Sequence, residues 1–226
     1  MQKNIESVRS TIKKFSRSVL SKMHQDSNNL YVSHLYILGA LQKSLSNYRG
    51  MCFALKTCDG SIAAMMLRSQ IDVAARIKAL EYFADQEAAC QKILAGTPIR
   101  DLKPDLKAGK LFDVTLIERL SIDHNWIMEV YKNCNKHVHF CETHFINSVS
   151  NLNEPDRILT IELAFDSGPK KHENLTKECA EAFINMIEIT EEVIDAWLAN
   201  PLTPKPPPSQ TAAHPPAPDP KSAAPG

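Results

Sequence analysis

The chain has 226 residues with 26 basic and 26 acidic side chains, so its formal charge is zero, and ten of its 14 prolines fall between Pro201 and Pro225. A 43% apolar content with seven glycines and 7% aromatics suits a soluble helical protein; it excludes a disordered or collagen-like chain, and the length excludes a disulfide-stapled miniprotein. No run approaches 18 apolar residues and Met1 to Met23 carries cations throughout, so neither a membrane span nor a signal peptide is expected, and the cytoplasm is the expected location.

In chain order, Ile5, Val8, Ile12, Phe15, Val19 and Met23 recur at three-to-four spacing and predict an amphipathic helix over 4–23, with a local charge near +5. The polar run Asp26 to Asn29 breaks it, and Tyr31 to Cys58 reads as a second long helix. Asp59-Gly60-Ser61 punctuates again. From there to about Leu94 the residues are strong helix formers without Gly or Pro, which predicts a third helix, bent near Asp85. Gly96 to Gly109, with Pro98 and Pro104, reads as a long surface loop of the functional or mobile kind.

Asp113 is the expected N-cap of a fourth helix reaching about Lys136. Arg157 to Phe165 alternates apolar residues and is the best strand; His144 to Ser150 is its expected partner across a turn at Asn151–Asp156, giving a small inserted β-hairpin near 144–165. The last helix, about Asn174 to Ala199, carries a local charge near −4. Residues 1–199 thus form one mainly all-α domain of about five helices, and 200–226 a disordered Pro/Ala-rich tail. Its PPP run is either a solvated terminus or a ligand for a proline-recognising partner protein.

The chemistry-bearing residues concentrate at the end of the fourth helix, where Lys132, Asn133, Cys134, His137, His139, Cys141 and His144 follow one another. Three readings compete there. Cys134, His137, Cys141 and His144 would line up as zinc ligands only if the helix ran through position 144, so no metal is assigned. A ribonuclease-type site would use a histidine to exchange protons with a 2′-hydroxyl while Lys132 stabilises the phosphate. The third reading is structural, with the histidines hydrogen-bonded at a helix end. The six cysteines hold no CxxC pair and read as structural thiols. On the third helix Arg68, Asp72 and Arg76 are spaced by four and share a face; Arg68 or Arg76 is expected to face the fourth helix and supply a stronger cation than Lys132.

A third helix carrying Leu67-Arg68-Ser69-Gln70-Ile71-Asp72, and a fourth ending in Val130-Tyr131 and then Asn135-Lys136-His137-Val138-His139-Phe140, resembles the HEPN-like proteins of bacteria, including abortive-infection-type families. The resemblance covers about Tyr31 to His144 and the final helix. It implies a HEPN-like helical bundle, a homodimer whose two motifs share a composite cleft, and a role in phage defence or stress without a cofactor. The family's ribonuclease motif is an arginine, four to six intervening residues, then a histidine. Here Lys132 stands at the arginine position, followed by Asn133, and His137 or His139 is the histidine. The implied roles are catalytic for His139, His137 and Lys132, and RNA- or nucleotide-binding for Arg68, Asp72, Arg76 and Asn133. The alternative is a non-catalytic dimerisation or interaction module. Zero net charge excludes a broad electrostatic grip on nucleic acid, so any RNA is expected to be held by a cleft.

Overall fold

The stripe of six apolar residues in the first segment organises one side of the molecule: α1 (Gln2–Gln25) buries Ile5, Val8, Ile12, Phe15, Val19 and Met23 in a continuous core. This is the computed structural model of the chain, and it describes residues 1–25, 31–105, 109–139, 149–153, 158–161 and 172–200. The described residues are mainly helical. The tail beyond residue 200, Cys141, His144 and residues 162–165 of the expected strand lie outside them.

After α1 come α2 (Val32–Thr57) and α3 (Gly60–Lys78), joined by a tight corner. Cys58 closes α2 in the left-handed region (φ 55°), its N–H donating to the Ala54 carbonyl, and the Asp59 carboxylate caps α3 by accepting from Ile62 N at 2.9 Å. Gly60 lets α3 approach the final helix closely: a β-carbon there would come within 2.8 Å of Leu175 Cδ2 and displace that side chain.

The helix expected from 61 to 94 is instead three pieces. α3 tightens into a 3-10 turn at Ala79–Tyr82, and α4 (Gln86–Leu94) starts afresh. No Gly or Pro marks the break. Asp85 makes it, by accepting from Ala88 N at 2.8 Å as the cap of α4, while the Asp105 carboxylate takes Ala84 N at 3.1 Å. The Glu87 carboxylate in turn accepts from Val32 N and Ser33 N (2.7 and 3.0 Å), capping α2 from a distant segment. The expected long loop is anchored over its first part, because Ile99 and Leu102 are buried around a 3-10 turn at Ile99–Asp101.

The fourth expected helix is also divided, into α5 (Asp113–Asp123) and α6 (Ile127–Val138), with His124 leaving helical geometry between them. Asp113 is not the cap. It is the first helical residue, after Phe112, and its carboxylate pairs with Arg76 instead. β1 (Val149–Asn153) and β2 (Ile158–Ile161) pair antiparallel, with an irregularity between Val149 and Asn151. Residues 151–153, read from sequence as turn, are therefore strand, and 144–148 lie outside the described residues.

The final helix, α7 (Glu173–Ala199), packs along α3 and α1 and buries Phe183, Met186, Ile187, Ile194 and Trp197. A polar seam crosses this core. Buried Gln70 on α3 accepts from Asn47 Nδ2 at 3.2 Å and donates to Ser44 Oγ and Thr190 Oγ1 at 3.0 Å each, tying α2, α3 and α7 at one level. Each of its polar atoms is satisfied, the condition under which burial does not cost the full desolvation penalty.

Candidate functional site

Spacing by four puts Arg68 and Asp72 on one face of α3, and the packing of α3 on α6 turns that face toward Tyr131 and Asn135, themselves four apart on α6. Arg68 is the hub. Its Nη1 pairs with the Asp72 carboxylate, its Nε donates to Asn135 Oδ1 at 2.5 Å, and its Nη2 donates to the Tyr131 hydroxyl at 2.7 Å. The guanidinium carbon also lies 4.6 Å from the Tyr131 ring centroid, within cation–π range. The ion pair is mostly shielded from solvent, with side-chain exposures of 18% for Arg68 and 22% for Asp72.

This burial sets the local electrostatics. Desolvation raises the Asp72 pKa above the ordinary aspartate value even though Arg68 opposes it. It likewise raises the Tyr131 hydroxyl, and it pushes the Cys134 thiol up to about 11, so that cysteine is a protonated core residue. Arg76, one turn further along α3, leaves this cluster and pairs with Asp113 of α5 at 2.9 Å on a more open surface.

The sequence-named residues therefore separate. Arg68 faces α6, as the spacing suggested, and Asp72 goes with it; Arg76 faces α5. Lys132 and Asn133 are exposed on α6. His137, in the last turn of α6, is half-buried with Ser61 Oγ 3.2 Å from its Nδ1. His139 is the exposed residue that ends α6, its backbone N–H donating to the Asn135 carbonyl at 3.3 Å. Asn133 and His137 share with Glu178 the polar edge of a small cleft of about 160 Å³ between α3, α6 and α7, walled by Leu67, Val130, Leu175 and Ala182. A larger apolar cleft of about 430 Å³, between α2, α3 and α4, shares no lining residue with it. Among the described residues no group of three His, Cys, Asp or Glu side chains could hold a metal ion, and no helix is long and apolar enough to cross a membrane.

Ser61, and Tyr131 and Asn135 as partners of Arg68, were not named as site residues from sequence. Ser61 is 76 positions from His137, a separation that carries no local pattern. Tyr131 and Asn135 did carry one, since a four-residue spacing on α6 answers the four-residue spacing of Arg68 and Asp72 on α3. Chemically, the arrangement clamps the last turns of α6 onto α3 while leaving Lys132, Asn133 and His139 at the surface. No protein-family model, no curated protein and no solved structure matches this chain.

Proposed function

We propose that the chain is a HEPN-like protein that acts on RNA as a metal-independent endoribonuclease in bacterial defence or stress. His139 takes the proton of a ribose 2′-hydroxyl, whose oxygen attacks the adjacent phosphorus. The bond to the 5′-oxygen breaks, His137 returns a proton to that oxygen, and a cyclic phosphate remains. Lys132 offsets the charge that develops on the phosphoryl oxygens, with Asn133 beside it. Two copies of the chain contribute one such motif each to a shared cleft.

The observation that carries this reading is the Arg68 clamp. It fixes α6 through Tyr131 and Asn135 while Lys132 and His139 stay exposed, seven residues or about 10 Å of helix rise apart. Arg68, Asp72 and Arg76 act as positioning residues in this scheme.

A second reading has its own support. Nε, Nη1 and Nη2 of Arg68 each have a protein partner, and lysine at the motif's arginine position is a weaker phosphate fork. Those features favour a non-catalytic HEPN-like module that dimerises or binds a partner protein or nucleotide. Cellular RNA incubated in EDTA with the wild-type chain and with His139→Ala separates the two. Cleavage by the wild type alone is expected; equal cleavage by both, or by neither, removes the enzyme. Light scattering at micromolar concentration is expected to give the dimer mass, and a monomer mass counts against the composite cleft.

A further inference from the structure

Formal neutrality hides a segregation of charge that the packing creates. α1 and α2 lie side by side, and together they hold nine Lys and Arg against a single acid, Glu6. α7 holds seven acids against one base, Lys177. Where α1 meets α7 the charges cancel, Lys22 reaching Glu191 and Asp195 at 3.1 and 2.5 Å. On the outer face they do not. Lys13, Lys14 and Arg17 of α1 and Arg49 and Lys56 of α2 are exposed, and among the described residues the one ion pair there joins Arg9 to Glu6.

The two helices meet closely at this face. Arg9 Nε donates to the Tyr48 hydroxyl at 3.4 Å, and both Arg9 and Lys56 act electrostatically on Cys52 between them. Tyr48 is half-buried in the seam, whereas Phe53 projects from α2 with 54% of its surface exposed.

We infer that the α1–α2 face is a docking surface for single-stranded nucleic acid, its cations following the phosphate backbone and Phe53 offering a ring on which a base stacks. A helix of 24 residues runs about 36 Å, enough to follow several phosphates. An anionic membrane fits less well, because surface helices bind bilayers by inserting an apolar face, and the apolar face of α1 is already in the core. The inference rests on the RNA-acting reading for the kind of polyanion, and on the charge distribution for the place. It departs from the expectation drawn from net charge, because exposed cations of α1 and α2 lie on neighbouring helices.

The test uses the full chain and a fluorescein-labelled deoxythymidylate 20-mer, which lacks the 2′-hydroxyl and so reports binding whether or not the protein cleaves RNA. Anisotropy is expected to show binding that weakens by about two orders of magnitude between 50 and 200 mM salt, as about five neutralised phosphates require. The surface variant K13E/K14E/R17E is expected to lose at least tenfold at 50 mM and to flatten the salt slope by about two. R49E/K56E, on the neighbouring helix, is expected to lose affinity in the same direction. Phe53→Ala is expected to lose roughly fivefold or more. Wild-type affinity in both charge-reversed variants, salt-independent binding, or displacement of the 20-mer by phosphatidylserine vesicles at matched charge would overturn it.

Discussion

Replacing Arg68 by methionine keeps much of the apolar stem and removes the hub of the α3–α6 clamp. Three hydrogen bonds disappear, to Asp72, Asn135 and Tyr131, together with the stacking on the Tyr131 ring. Bonds to charged groups contribute about 1.5–3 kcal/mol each when shielded, but with roughly a fifth of each ion-pair side chain still exposed a value discounted below that range, about 1 kcal/mol per bond, is appropriate. The expected loss is about 3 kcal/mol, which at a urea slope of about 2 kcal/mol/M lowers the unfolding midpoint by about 1.5 M. Arg76→Met, whose ion pair is more than 40% exposed on both sides, should cost only about 0.5 kcal/mol.

Part of the Arg68 loss belongs to the Asp72 carboxylate left behind. Burial already raises its pKa, and losing Arg68 removes the main opposing influence. A carboxyl whose folded pKa lies above its unfolded value binds its proton more tightly in the folded chain, so its contribution to stability falls as pH rises through that interval. The deficit of the methionine variant should therefore shrink as pH is lowered from 7 toward 4. Asp72→Asn in the same background should recover about 1 kcal/mol or more, in a double-mutant cycle read by urea unfolding. A deficit under about 1 kcal/mol, strict additivity, or a deficit that grows on acidification refutes the clamp.

Gln70→Leu breaks the buried seam, leaving Asn47 Nδ2 without its acceptor, and should lower stability by about 2 kcal/mol in urea titrations; an unchanged or raised midpoint would mean the seam adds nothing to stability. Burial holds the Cys90, Cys134 and Cys179 thiols at about 12, 11 and 12, so in a mild thiol reagent at pH 8 these three should label at least tenfold more slowly in the folded chain than in urea. Mass spectrometry locates the labelled positions, and rapid native labelling of any of the three contradicts its burial.

The elements legible in the sequence were those whose signal is periodic and self-contained. The α1 stripe needed only its own spacing, and every residue of it is buried. The break near Asp85 was legible as a bend, but what fastens it, and how α5 begins, depend on groups from elsewhere in the chain. Asp105 fastens Ala84 from 21 residues away, and Asp113 abandons the expected capping role because Arg76 is within reach. Of the candidate site, the Arg68–Asp72 spacing and the identities of Lys132 and His139 as candidates could be read directly, whereas their exposure came only with the packing. The Ser61–His137 contact could not, since neither residue belongs to a pattern that includes the other.

By itself the sequence determined a mainly helical chain, the apolar faces of its long helices, the place of the final helix and the residue types available for chemistry, all consequences of side-chain periodicity and backbone propensity. The tertiary structure alone decided which charges meet. Ion pairs and hydrogen bonds reach only about 3 Å, so their partners depend on which helices pack together, and a sum over the chain averages away that arrangement. Packing gave Arg68 to Asp72, Tyr131 and Asn135, gave Arg76 to Asp113, and set the acid-poor α2 beside the basic α1.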